Sequence, residues 1–424
     1  MESRHLLLRT LACLIASTLY IASAHALDSA TPDSEDVRMI TTIQEATQAA
    51  DLQTLTQLYE HPSSDISKAL AAMALERVRY NLDASTKDAK LCEESLFETQ
   101  AVVAHFCARF AAGNLRLAGQ YQTAATAEVE IAQRYSGKLP KASLLNPDVE
   151  QAKLYSGLPS MHVERSEANV SVPTFGMHSG RYKIEATVND HAVQLQIDSG
   201  ATTTLGVKTA EALGVKILLE ADGKVRSMWG GDHGTKKLGL IEHLNFSGVS
   251  LENVLVAIVP EERNLLGINV LSKLGAMKFT PSEWLLYGAT ATKPDCNTPM
   301  LIGSPLWGGA PKLVTYIGVD DARRTAVIDT GSAFYLTGMS STKNTGDYQA
   351  ARRTKVYDMG SNARSVRMSR STSTVTLGGQ TVELTYNIFN DATAPYDYLL
   401  GIGSLRDFDV FLDFTAHHLC VIPD

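Results

Sequence analysis

Ile197-Asp198-Ser199-Gly200-Ala201 and Ile328-Asp329-Thr330-Gly331-Ser332 are two versions of one phrase. In each, a Val stands ten residues ahead of the Asp (198 − 188 and 329 − 319). Each copy then reaches two apolar residues and a Gly, Leu265-Leu266-Gly267 and Leu399-Leu400-Gly401, 69 and 72 residues beyond the Asp (267 − 198 and 401 − 329). Past each Gly, Leu271 with Leu274 and Leu405 with Phe408 keep the register. A single Asp-Ser/Thr-Gly is common. Two, each followed by the same second element at near-equal spacing, mark a duplicated half, and two ordinary strand-to-loop turns do not explain that match.

Duplication of a half that carries one Asp in a sharp turn brings two carboxylates face to face. Like charges at close range cannot both ionise, so such a pair shares one proton. The ionised partner takes a proton from water, and the protonated one polarises a carbonyl. The Gly after each Asp-Ser/Thr lets the backbone turn tightly and approach its partner, and the Ser199 and Thr330 hydroxyls are placed to brace the opposite loop.

These residues resemble the aspartic peptidases, of both the pepsin-like and the retropepsin-like type. The resemblance covers about Thr174 to Asp424. It implies a mainly β, bilobal fold with Asp198 and Asp329 as the catalytic dyad, supported by Ser199, Gly200, Thr330 and Gly331. Gly267 and Gly401 pack beneath the two loops. Each half is nearer the retropepsin size, so a compact single chain like two fused retropepsin halves is expected. The family also closes a hairpin flap over its substrate, usually with a Tyr before Gly. Ser227-Met228-Trp229-Gly230-Gly231 occupies that place and offers Trp229, whose indole also covers apolar substrate and donates one hydrogen bond. Tyr357-Asp358-Met359-Gly360 is the equivalent place in the second half. Ala201 and Ser332 differ in hydrogen-bonding capacity, so the two Asp surroundings are expected to be unequal.

Around this core the chain divides by composition. Residues 1–26 read as a signal peptide: Arg4, His5 and Arg9, an apolar run from Leu11 to Ala22, then Ala24-His25-Ala26 as a small-x-small cleavage site. From 27 to 135 the spacing of apolar residues, as in Leu96, Val103, Phe106 and Phe110, predicts an α-helical domain, either helical-repeat-like or a prosegment. Residues 136–173, punctuated by Pro140, Pro147, Pro159 and Pro173, read as a linker. Alternation from Thr174 onward predicts strands, in a first lobe over 174–290 and a second over 291–424. Asn189-Asp190, Ser247-Gly248 and Gly378-Gly379 mark hairpin turns.

The 424 residues allow two or three domains, and a formal net charge of −8 argues against a nucleic-acid partner. Without the signal no stretch is long and apolar enough to span a membrane. Loss of Cys13 with the signal leaves Cys92, Cys107, Cys296 and Cys420, an even set suited to an oxidising compartment. Of three connectivities the economical one pairs Cys92 with Cys107 and Cys296 with Cys420. Cys92 and Cys107 meet only if they do not share one rigid helix. No cysteine spacing suggests zinc, and His417-His418 lacks a partner at ligand spacing, so no metal or cofactor is expected.

The leading reading is an aspartic endopeptidase exported from a bacterial cell, periplasmic or secreted, acting on polypeptide. Its helical domain would contact a protein partner or inhibit its own cleft. The alternative is a catalytically idle peptide-binding scaffold that uses the same bilobal cleft; both Asp residues being intact argues against it.

Overall fold

A computed structural model describes residues 35–139, 149–226, 232–260, 262–339, 347–356, 364–390, 392 and 394–423. The signal-like segment and the tips carrying Trp229, Gly230 and Tyr357 lie outside the described residues.

The helical part comprises α1 (Glu35–Ala49), α2 (Leu52–Glu60), α3 (Asp65–Val78), α4 (Leu82–Leu96), α5 (Ala101–Leu117) and α6 (Tyr121–Arg134). Two of these helices start where short polar side chains satisfy free N–H groups. Asp51 accepts from the Thr54 N–H (3.0 Å), and Ser64 and Ser67 form a reciprocal cap at α3. Between α5 and α6, Gly119 takes a left-handed φ of 71° and reverses the chain. Cys92 lies on α4 and Cys107 on α5, so the two sit on facing helices rather than on one, and they are bonded with Cα atoms 6.0 Å apart.

The two lobes repeat one plan, each in an eight-stranded sheet. The antiparallel pair Lys183–Val188 and His191–Asp198 turns at Asn189 and Asp190, both at positive φ; Lys312–Val319 and Ala322–Asp329 turn at Asp320 and Asp321 in the same way. These two-residue turns match the twist of the strands they join. A long hairpin follows in each half, Lys216–Arg226 with Asp232–Phe246 and Asp347–Val356 with Arg364–Leu377. The strands Val249–Val259 and Gln380–Phe389 come next, after turns at Ser247-Gly248 and Gly378-Gly379. Each half closes on a short strand, Leu265–Gly267 or Tyr398–Gly401, laid parallel to the Asp-bearing strand.

A third, five-stranded sheet is built from both halves. Ala276–Phe279 of the first pairs antiparallel with Phe408–Asp413 of the second, with Glu283–Leu286 and His418–Pro423 outside them. Leu274 and Phe408, the residues in register after the two glycines, are fully buried against this sheet's core. Cys296 and Cys420 are bonded, with Cα atoms 5.9 Å apart, tying the link between the halves to the last strand.

The stretch read as a linker carries more structure than its prolines suggest. It holds a helix, α7 (Val149–Ser156), and two short strands. His162–Glu164 adds to the edge of the first lobe's sheet, and Val170–Pro173 to the five-stranded one. At three and four residues these strands are too short to show periodicity, and they exist because an open sheet edge pairs them.

The helical part and the second lobe share a core. Ile43, Leu55, Met73 and Phe110 pack in one cluster with Leu301, Val314, Val327, Met339 and Leu399. Arg77 pins the junction from full burial. Its guanidinium lies 3.4 Å from the centre of the Phe110 ring. It donates to Asn114 Oδ1 (2.6 Å), to the Pro305 and Leu306 carbonyls (3.2 Å each) and to the Phe110 carbonyl. Beside it, Gly113 of α5 meets Gly308 backbone to backbone, an approach that a side chain on either would block. Arg77→Met, which keeps the bulk but strands these acceptors, is expected to cost about 3–5 kcal/mol of stability. Chemical denaturation of the two proteins checks it, and a loss under about 1 kcal/mol would deny Arg77 this role.

Candidate active site

Each Asp ends a strand. Asp198 stands opposite Gly267 and Asp329 opposite Gly401 in parallel register, so each loop rises from the same step of its sheet. Below the loops Ile268 N–H donates to the Ala201 carbonyl (2.8 Å), and Ile402 N–H to the Ser332 carbonyl (2.9 Å). A Cβ on Gly267 would run into the backbone of Thr202 and Thr203, and one on Gly401 into the Ser332 and Phe334 carbonyls. The second motif element is therefore a floor on which the first rests.

The two loops meet across the lobe interface. Ser199 N–H donates to Thr330 Oγ1 (2.9 Å), and Thr330 N–H donates to Ser199 Oγ (3.1 Å). Each hydroxyl then donates onward into the other lobe, Ser199 Oγ to the Ile328 carbonyl (2.9 Å) and Thr330 Oγ1 to the Ile197 carbonyl (3.0 Å). In each loop the glycine N–H donates to the Oδ1 of its own Asp, from Gly200 to Asp198 and from Gly331 to Asp329, both at 2.9 Å. The approach is as tight as the sequence anticipates. A Cβ added to Gly200 would lie 2.6 Å from the Asp329 carboxyl carbon, and one on Gly331 would strike the Asp198 carboxylate.

The surroundings of the two are unequal. Asp198 is 8% exposed, whereas Asp329 is half-buried. Burial first, and then the facing Asp329 carboxylate, push the Asp198 carboxyl up to about 8, against the opposing pull of the Lys312 ammonium. Lys312, from the first strand of the second lobe's Asp-bearing hairpin, also donates to the Gly200 carbonyl. Its counterpart across the interface is neutral: Gln196 Nε2 donates to the Gly331 carbonyl (3.1 Å). Neither residue is marked by the duplicated motifs, because each acts on the other half of the molecule. The floor is also asymmetric. Asn269 Oδ1 accepts from Thr203 N–H (2.7 Å) and Thr203 Oγ1 (2.9 Å). Gly403 stands at the position matching Asn269, close against the Tyr335 backbone.

Of the residues named from sequence, the structure brings together Asp198, Ser199, Gly200, Asp329, Thr330, Gly331, Gly267 and Gly401. The hairpin arms expected to carry the flap are in place on either side of 227–231, while Trp229 and Gly230 themselves lie outside the described residues.

Residues 184–273 match the family model described as gag-polyprotein putative aspartyl protease. Among solved structures, a retropepsin-like aspartic protease from Rickettsia conorii is 17% identical over 30% of this chain and 94% of its own, with a TM-score of 0.24. The aspartic proteinase from Irpex lacteus is 15% identical over 60% of this chain and 97% of its own, with a TM-score of 0.39. Basic 7S globulin from soybean is 10% identical over 60% and 95%, with a TM-score of 0.36. No curated protein matches the chain by sequence. The match to aspartyl proteases thus falls on the first lobe, and the second lobe repeats that lobe's loop and sheet plan.

Two outcomes follow from this geometry. Thr330→Val removes one hydroxyl that both donates and accepts in the buried cross-brace, and is expected to cost about 2–4 kcal/mol by thermal or denaturant unfolding. Asp198→Asn is expected to raise the melting temperature at pH 7. A carboxyl whose folded value is raised binds its proton more tightly in the folded state. Its contribution is full below the unfolded value near 4 and is lost as pH climbs toward about 8. Melting curves of both proteins from pH 4 to about 8 should therefore diverge with rising pH; parallel curves would contradict the raised value.

Proposed function

We propose that the protein is an aspartic endopeptidase in which Asp198 and Asp329 together activate a water molecule. The observation that carries this reading is the interpenetration of the two loops, in which the glycine of each abuts the carboxylate of the other. Opposed carboxylates at this range can hold a water and a scissile carbonyl between them.

With the shared proton on Asp198, that carboxyl donates to the carbonyl oxygen of the peptide, and Asp329 takes a proton from the attacking water. The carbonyl carbon becomes tetrahedral; as the C–N bond breaks, the proton on Asp329 passes to the leaving nitrogen and one hydroxyl of the intermediate returns a proton to Asp198, which restores the dyad. The Gly200 and Gly331 N–H groups each hold one carboxylate oxygen, so both side chains keep one orientation through the cycle. Lys312 acts as a positioning residue: it anchors the Gly200 carbonyl and moderates how firmly Asp198 holds its proton. Polypeptide is the substrate, and the role of flap is assigned to the hairpin with arms Lys216–Arg226 and Asp232–Phe246, on its position in the sequence between Asp198 and Gly267. We locate the enzyme outside the cytoplasm, a reading supported by the signal-like first 26 residues and by two cysteine pairs at bonding distance.

Cleavage of a peptide library across pH tests the proposal. Asp198→Asn and Asp329→Asn are each expected to abolish hydrolysis while keeping the fold; cleavage surviving in either would sink the dyad. The wild-type rate should fall as pH rises through about 8, where Asp198 loses its proton. Lys312→Met should move that alkaline limb to higher pH, because removing a nearby cation makes the Asp198 proton harder to lose.

A further inference from the structure

A cavity of about 150 Å³ lies where the helical part meets both lobes. The helices supply Tyr80, Arg116, Tyr121 and Tyr155, the first lobe Thr202, Thr203 and Ser272, and the second lobe Trp307. Its volume is about that of an engineered cavity that admits benzene. Unlike a dry cavity, it has donors to spare. The Tyr80, Tyr121 and Tyr155 hydroxyls have no hydrogen-bond partner among the described residues. Burial pushes Tyr80 and Tyr121 up to about 12, so both remain protonated donors at neutral pH.

The charge beside the cavity is unbalanced. Arg116 donates from one nitrogen to both oxygens of Glu128 (3.0 and 3.1 Å). Arg109, two turns back on α5 and behind the cavity wall rather than in it, also feels that same buried carboxylate without bonding to it. Two guanidinium groups thus share one Glu. Nε and Nη1 of Arg109 and Nε of Arg116 are buried without a partner. His105 does not add charge, because burial first and Arg109 second lower it to about 4. Unpartnered buried donors carrying net positive charge are costly, and an anion relieves that cost. Aromatic walls, a benzene-sized volume, free phenols and a surplus cation together define one ligand chemistry.

We propose that this cavity binds a carboxylate carried on an aromatic or comparably bulky apolar group, with the carboxylate toward Arg116 and the apolar group between Tyr155 and Trp307. The guanidinium of Arg116 already lies 5.6 Å from the Tyr155 ring and 5.9 Å from the Trp307 ring, so charge and apolar wall are adjacent. An occupant touches all three parts of the molecule and stabilises them as one body. Thr202 and Thr203 follow closely on the Asp198 loop, so the site adjoins the dyad without including it. The same chemistry is offered by a free small acid and by the C-terminal residue of a polypeptide.

Isothermal titration of the full-length protein with phenylacetate and with its neutral isostere phenylacetamide tests the site without recourse to hydrolysis. Saturable binding of the acid is expected, about tenfold or more tighter than the amide, the worth of a charge-assisted hydrogen bond. Two variants should abolish it: Arg116→Met combined with Glu128→Gln, which removes the cation without stranding a carboxylate, and Ser272→Phe, which fills the space and leaves the charges alone. Should the first variant fail to fold, the second decides. A peptide ending in Phe that displaces phenylacetate only when its terminus is a free carboxylate identifies a chain end as the ligand. Failure to displace identifies a free small acid. No saturable binding of the acid, equal binding of acid and amide, or undiminished binding in a folded variant would overturn the proposal.

Discussion

Ser199 and Thr330 hold the molecule's two halves at one point. Each backbone N–H donates to the other's hydroxyl, and each hydroxyl donates on to a carbonyl in the opposite lobe. All four groups are buried, so leaving any of them unpaired costs more than the bond itself returns. Two carboxylates facing each other in a buried place are unfavourable, and the halves would separate there without a compensating interaction. The cross-brace supplies it within one residue of each Asp. Every other feature of the site follows from that forced proximity: the need for Gly200 and Gly331, the raised proton affinity of Asp198, and the exclusion of larger side chains from the loop floor.

The five-stranded sheet repeats the theme on a larger scale. Its two central strands come from different halves, so neither half can complete it alone. The halves are thus joined above by hydrogen-bonded loops and below by a shared sheet, with one disulfide tying the second half's ends. A rigid seat of this kind suits chemistry that requires two groups held at fixed separation.

The helical part is joined by a different means. Its apolar residues and those of the second lobe's sheet belong to one cluster, and Arg77 closes the seam by donating to carbonyls on both sides. A segment displaced on activation would expose Leu301, Val314, Val327, Met339 and Leu399 to water.

The duplicated phrase, its turns and its glycines were legible in the chain because they are local and repeated. Asn189-Asp190 and its counterparts name their turn by the φ they tolerate, and Asp-Ser/Thr-Gly names a loop by the space it must leave. The cysteine pairs were legible as the economical choice among three, and only the helix boundary at 97–100 shows that Cys92 and Cys107 can meet. The short strands before Thr174 were not legible, since a three-residue strand has no period and takes its shape from the edge it joins. Nor were Lys312, Gln196, Arg77 or the Arg109–Arg116–Glu128 imbalance. Each acts on residues far along the chain, and no local pattern records which distant carbonyl or carboxylate a charged side chain will face. Repetition and backbone sterics, which operate within a few residues, are written in the sequence. Electrostatic environment and cavity shape depend on which surfaces the folded chain brings together, and only the tertiary structure decides them.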